Sequence, residues 1–482
     1  MNIVKMWLSL SVAICSTGSA IAVDITSVTV RQLWPWSRNV QVSYTLSGAS
    51  VAEPMDLHVR CYNGETELAM PALGSSLKGD VYGVTNATGS FIIDPVRAFG
   101  SNRDSLARFK VELEPVPSAA STTEVIYKVF DLDAGTCRDV TRADFYNGKM
   151  GEYLTDYGAF RDRNGKAYET PLSDVLIWTA MTNDVAYKTA KLVMRKVPAK
   201  GVEWTIGSPE GEPGRATSGM LENQYRVKLT EDYFIGVYPV TQSQYERICG
   251  ANPSKYAAVE NAAQCPVERV SYATVRGGRT EQGANGECVN WPTNSYRHLV
   301  APNSFCGRMR ERFGVDFDIP TEAQWEFACR ANGTSVLYSG RSPTTENDVA
   351  YYAIELGWSK DNSAVDGTNQ PHPVGMKNPN AWGLYDLYGN VYEHCLDWAV
   401  ADINVNAAAE PLVDPDGGST GAMGANAAAG ADARATRGMA SFLGSAKLSR
   451  SAKRGDAYWK DTDSTYLIGL RLTCPADGAQ WK

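Results

Sequence analysis

Histidine is scarce in this chain and the familiar catalytic signatures are missing. Only four His occur, His58, His298, His372 and His394, none of them spaced as HExxH, and no CxxC pair exists, so a zinc site has little support. No GxSxG elbow is present, which removes the usual support for a serine nucleophile. The basic turn Arg276-Gly277-Gly278-Arg279 lacks the GxxxxGK pattern of a phosphate-binding loop. Charged residues make up 21% and the net charge is −8, so no basic surface that would attract nucleic acid is implied. Beyond the N-terminus no apolar run approaches the length of a transmembrane helix, so no integral membrane segment is expected after processing. Long amphipathic helices are also hard to find. An aromatic content of 10% and 43 Gly suit a loop-rich domain stabilised by rings.

The 482 residues are enough for two or three domains. Lys5, the apolar stretch Met6 to Ile14 and Ala20-Ile21-Ala22 read as a signal peptide, residues 1–22, cut after Ala22. A secreted, periplasmic or cell-envelope location follows, and the arrangement resembles bacterial envelope proteins. Loss of Cys15 leaves Cys61, Cys137, Cys249, Cys265, Cys288, Cys306, Cys329, Cys395 and Cys474, an odd set that an oxidising compartment allows to form disulfides.

Residues 23–135 contain SVTVRQLW, VQVSYTL, DLHVRCY, SFII, ARFKVELE and VIYKVF, partly alternating segments separated by turn formers. They predict an all-β sandwich of immunoglobulin or fibronectin type, read as an accessory domain. Residues 136–187 form a connecting region without a clean period, and 188–482 form the last domain. Within that domain Thr241 with Gln244, and Thr321 with Gln324, are capping boxes that start two helices, the first ending at Gly250. Trp325 and Ala328 share one face of the second and are read as core.

Asn378 to Trp398, NPNAWGLYDLYGNVYEHCLDW, concentrates turn formers, aromatics and carboxylates. Asp386 and Glu393 bracket the carbonyls of Gly389 and Val391, so a curled loop aims four oxygens at one point, a hard-cation site suited to calcium. The alternative is a structural turn whose carboxylates cap neighbouring N–H groups.

The pattern N-x-x-G-L-x-D-x-x-G-N-V-x-E resembles the signature loop of the sulfatase-modifying factor family, the formylglycine-generating-enzyme-like domains. FIGVYPVTQSQYERICGANPSKY, PVERVSYATV and IPTEAQWEFACRANGT agree with it in order. The resemblance implies an α+β fold, an irregular C-type-lectin-like domain of formylglycine-generating-enzyme type preceded by the sandwich. It also implies calcium at Asp386, Gly389, Val391 and Glu393. Residues Arg276 to Ser304 and Ala399 to Ala435 depart from the family pattern as loops.

The family's C-terminal block appears as Arg437-Gly438, Ser441-Phe442, Arg450-Ser451-Ala452 and Gly469-Leu470-Arg471. In oxidase members two cysteines in this block bind copper; here those positions fall on Gly444 and Ser449, which supply no thiolate, so copper is not expected. Tyr392 and His394 stand where the family loop carries Trp, and His394 is read as packing. The leading expectation is a secreted module for an unknown extracellular protein, peptide or glycan, with a ligand surface drawn from Lys447, Arg450, Tyr458, Trp459, Asp461, Asp463 and Tyr466. The alternatives are a formylglycine-generating oxidase, a related non-copper enzyme, and a structural envelope protein.

Overall fold

Two sets of strands build separate units. The computed structural model describes residues 23–33, 39–48, 55–68, 70, 76–98, 108–117, 124–146, 148–172, 175–278, 281–282, 299–403, 411–415, 433–440, 444–455 and 459–476. The expected signal segment, the greater part of the 276–304 loop and residues 416–432 lie outside the described residues.

In the N-terminal unit, strands β1 (Asp24–Gln32), β2 (Val40–Ser47), β5 (Leu77–Gly79) and β6 (Thr88–Ile93) form a sheet in the order β1-β2-β6-β5. Strands β3 (Met55–Asn63), β4 (Thr66–Glu67) and β7 (Phe109–Pro117) form a second, in the order β4-β3-β7. Alternation along β2 buries Val40, Val42, Tyr44 and Leu46 and leaves the residues between them partly or fully exposed. Those side chains join Leu57, Cys61, Phe91, Ile93 and Val111 in one apolar core shared by both sheets. A small pair, β10 (Tyr153–Leu154) with β11 (Ile177–Trp178), belongs to the same unit.

The expected boundary at residue 135 is displaced. Strand β8 (Val125–Asp131), which contains VIYKVF, joins β9 (Thr136–Thr141), β12 (Lys191–Val197), β15 (Tyr233–Gly236) and β23 (Thr473–Pro475) in a five-stranded sheet ordered β23-β15-β12-β8-β9. Its residues Tyr127 to Asp131 pair antiparallel with Arg195 to Lys191. A strand pattern specifies a half-buried ribbon and leaves its partner open, which is why β8 reads equally well as the last strand of a sandwich. The region 136–187 is accordingly divided, with 140–159 and 176–180 in the N-terminal unit and 160–175 in the C-terminal one.

The C-terminal unit adds three further sheets. One holds β13 (Glu203–Ile206), β14 (Tyr225–Lys228) and β19 (Leu412–Val413); a small one pairs β16 (Ala364–Val365) with β17 (Thr368–Asn369). The third is ordered β21-β20-β18-β22, from β18 (Tyr392–Trp398), β20 (Ala433–Gly438), β21 (Trp459–Lys460) and β22 (Ile468–Gly469). Short helices lie between strands, so the chain is mixed α+β. Thr241 caps the helix Gln242–Cys249 with the reciprocal Gln244 bond, and Gly250 ends it at φ 79°. Thr321 does the same for the helix Glu322–Arg330. Ser271 with Thr274 builds a third such box that the sequence reading passed over. Among the described residues no helix is long and apolar enough to cross a membrane.

A chain shortened to begin at Met181 loses β8 and leaves the β12 edge, Lys191 to Arg195, unpaired. It is expected to aggregate where a chain beginning at Glu124 stays monodisperse. Light scattering of the two checks this, and equal behaviour would show that β8 is dispensable.

Candidate functional site

The signature stretch is folded by its own side chains. Asn380 is fully buried; its Oδ1 accepts from the amides of Trp382 at 3.1 Å and Leu384 at 3.0 Å. Its Nδ2 donates to the carbonyls of Ala328 at 2.7 Å and Cys329 at 3.1 Å, satisfying the C-terminal end of the helix Glu322–Arg330. Asp386 and Asn390 adopt left-handed φ of 58° and 70°. At Gly389 a Cβ would lie 1.8 Å from the Trp358 carbonyl oxygen, so only glycine lets the two backbones touch.

The carboxylates expected on calcium are already engaged. Glu393 receives Arg471 through Nη2 at 2.7 Å and Nε at 2.9 Å, and Trp325 Nε1 at 2.6 Å. Arg471 also donates to the carbonyls of Gly236, Val237 and Tyr385. Asp386 accepts from the Gly375 amide at 2.7 Å and from Asn390 Nδ2 at 3.2 Å, and burial raises its pKa. The Gly389 carbonyl accepts from the Val391 amide at 3.0 Å. These donors do not fit a calcium ion, because a guanidinium already supplies the positive charge that Glu393 needs. Among the described residues no group of three or more His, Cys, Asp or Glu could hold a metal ion.

Gly444 and Ser449 are both described. A Cβ at Gly444 would lie 2.0 Å from Met439 Sδ, so a thioether fills the space where a side chain would start. Ser449 is buried and follows the short helix Ala446–Leu448. The eight described cysteines are free, which corrects the disulfide expectation for them; Cys15 and Cys288 lie outside the described residues. Burial pushes the thiols of Cys265 and Cys329 up to about 12, making poor nucleophiles of them.

The expected ligand surface is not brought together. Arg450 is 1% exposed and pairs with Glu222 at 2.8 Å and Glu212 at 2.6 Å, so it is a core cation. Asp461 is also buried. Asp463 accepts from the Lys460 amide at 2.9 Å, while Lys447 and Trp459 are partly exposed. Tyr466 is exposed and lies under Lys255, whose Nζ is 3.8 Å from the ring centroid. Tyr458 lies outside the described residues.

Sequence reasoning missed the buried ion pairs. Glu322 receives Arg437 Nε at 3.0 Å and Arg454 Nη2 at 2.9 Å, while Glu326 receives Arg437 Nη1 at 2.7 Å and Arg330 Nε at 2.8 Å. Burial opposes the charge on Glu322, but Arg454 and Arg437 hold its carboxyl below the usual range. The available signal was two glutamates four apart on the helix that also carries Trp325, together with the recurring Arg of the C-terminal block. His394 is fully buried against Tyr272 in an edge-on ring contact, and burial lowers it to about 4.

The family described as "Sulfatase-modifying factor enzyme 1-like domain" matches residues 193–474. The chain is 36% identical over 154 residues to a formylglycine-generating enzyme of Streptomyces coelicolor, covering 31% of this chain and 47% of that one. It is 26% identical over 185 residues to the chaperone protein LppX of Paenibacillus barcinonensis, covering 35% and 62%. The match thus spans less than two thirds of either relative. The solved structure of Treponema denticola variable protein 1 aligns with a TM-score of 0.41 and 22% identity, over 59% of this chain and 96% of that one.

Glu393→Gln removes the charge that Arg471 faces and is expected to cost about 3–5 kcal/mol of stability in denaturant titration; an unchanged midpoint would show that the pair carries no load. His394 titrates near 6.5 when unfolded and near 4 when folded. As pH falls from 6.5 towards 4 the unfolded chain gains a proton that the folded one refuses, so stability is lost over that window, by up to about 3 kcal/mol. His394→Phe should flatten that part of the profile, read as the difference between the two unfolding curves.

Proposed function

Since the chain belongs to the family of sulfatase-modifying factor enzyme 1-like domains through residues 193–474, we propose that it is a secreted or envelope-located ligand-binding module of that family, without copper-dependent oxidase activity. The observation that carries this reading is at Gly444, where Met439 Sδ lies 2.0 Å from the position of a Cβ. A cysteine there would have to displace that thioether. Ser449 supplies only a hydroxyl at the second position, and copper(I) prefers soft thiolate ligands. The buried thiols elsewhere are held protonated, which leaves no activated thiolate among Cys265, Cys329 and Cys395.

Around the two positions the chain keeps a rigid frame. Arg437, Arg450, Arg454 and Arg471 are each no more than 1% exposed and are all paired with carboxylates, so the C-terminal block serves to hold the domain together. The aromatic and polar side chains between these anchors, Trp459 and Tyr466 among them, are the ones left to meet a ligand. The signal segment 1–22 and the N-terminal sheets suit display outside the cytoplasm.

The purified protein is expected to take up no stoichiometric copper(I) and to leave a Cys-containing sulfatase peptide unchanged, by metal mass spectrometry and by aldehyde capture. Stoichiometric copper together with aldehyde formation would overturn this reading and make the chain a formylglycine-generating enzyme, the name its Streptomyces relative carries.

A further inference from the structure

A cleft of about 400 Å³ opens within the C-terminal unit, lined by the end of the turn 162–166, the segment 340–344 and the helix Glu346–Ala353. The turn belongs to the region 136–187, to which the sequence assigned no role. Asp162 is 5% exposed and shapes it: its Oδ1 accepts from the amides of Asn164 and Lys166, each at 2.9 Å, and Gly165 takes a left-handed φ of 78°. Its Oδ2 receives Arg341 Nη2, so one buried carboxylate fixes both the turn and the guanidinium. Gly340 lets the segments meet, since a Cβ there would lie 2.5 Å from the Glu169 carbonyl oxygen. On the helix, Val349 and Ala353 are buried, while Asp348 and Tyr352, four apart on one side, line the cleft.

The bonds these side chains have left to make decide the ligand. Lys166 Nζ pairs with Glu169 at 2.8 Å on an exposed edge and keeps further N–H groups. Arg341 spends Nη2 on Asp162, and its Nε and Nη1 have no partner among the described residues. Tyr352 accepts from Asn164 Nδ2 at 3.2 Å while Tyr351 donates to Asn164 Oδ1 at 2.9 Å, so the Tyr352 hydroxyl proton is left to give. Arg341 lies over the Tyr352 ring, 5.3 Å from its centroid, which brings two of these donors together. Asp162 and Glu169 do not line the cleft, so its wall shows two cations and one carboxylate, Asp348. Asp348 accepts the Thr345 hydroxyl through Oδ2 at 2.7 Å, which leaves Oδ1 as an acceptor. The exposed hydroxyls of Ser342 and Thr344 border the same space.

An oxyanion suits Lys166, Arg341 and Tyr352, but a bare carboxylate gives Asp348 nothing to accept. A neutral sugar leaves both cations unmet. A molecule with one carboxylate and several hydroxyls answers both needs: the carboxylate takes the charge-assisted bonds, and the hydroxyls donate to Asp348 and exchange bonds with Ser342 and Thr344. The volume lies at the lower end of small-ligand sites, which suits a single sugar ring.

We propose that this cleft binds a sugar acid, with its carboxylate on Lys166, Arg341 and Tyr352 and its hydroxyls towards Asp348. None of the lining residues belongs to the surface around Trp459 and Tyr466, so this is a further site beyond the one proposed above.

The purified protein, labelled with 15N-arginine, is titrated with glucuronate, galacturonate and N-acetylneuraminate to about 100 mM, ten times a Kd of ~10 mM. The Arg341 Nε resonance is identified by its loss in Arg341→Lys. At least one acid is expected to move it saturably, while glucose, glutamate and sodium acetate at equal ionic strength do not. Tyr352→Phe removes a single donor to a charged group and is expected to weaken that acid about tenfold. Lys166→Gln is an exposed change with little bearing on stability and is expected to weaken it at least about threefold. A melting curve for each variant separates lost binding from lost folding. The proposal is overturned if no acid moves the signal, if acetate, glutamate or glucose binds as tightly as the best acid, or if both variants melt and bind like the parent. Each of these failures leaves the copper and aldehyde result untouched, so the oxidase question is judged separately.

Discussion

The C-terminal unit depends on the contact between Arg471 and Glu393. Both are buried, and an unpaired charge at either position would be costly to hold away from water. Arg471 spends its remaining donors on the carbonyls of Gly236, Val237 and Tyr385, so one guanidinium joins the end of β15 and the residue after it to the signature loop. Trp325 completes the set by donating its indole proton to Glu393, tying in the helix Glu322–Arg330. A chain short of long helices and wide sheets is thereby fixed by directional contacts that irregular backbone can reach.

The same logic repeats across the block. Glu322 and Glu326 organise Arg437, Arg454 and Arg330, and Glu222 with Glu212 organises Arg450. Such pairs gain little net energy over a packed apolar core, since desolvation offsets most of the attraction. Their value lies in geometry, because a planar fork accepts few arrangements. Residues between the arginines complete the frame, Ser451 by a 2.7 Å hydrogen bond to the Tyr388 hydroxyl and Ile468 and Leu470 by packing in the core.

Much of the fold was legible in the sequence because it is written locally. Capping boxes at Thr241 and Thr321 need only residues three apart, and the alternation of β2 needs only eight neighbours. The signature stretch announced itself by its glycines and its NPN turn. Partner choice was not legible: nothing in VIYKVF says that β8 pairs with β12, because the backbone hydrogen bonds that decide this are common to every strand. Arg450 was misjudged for a related reason, since an arginine looks the same in sequence whether water or Glu222 faces it.

By itself the sequence determined the family, the mixed α+β character, the helix starts and the absence of cysteine at 444 and 449, all of which rest on residue identity and short-range spacing. Only the tertiary structure decided which carboxylate meets which arginine, that Glu393 already has its cation, and that Lys166, Arg341 and Tyr352 line one cleft. Those outcomes depend on distances between residues tens to hundreds of positions apart, and a linear pattern carries no record of them until the chain has closed.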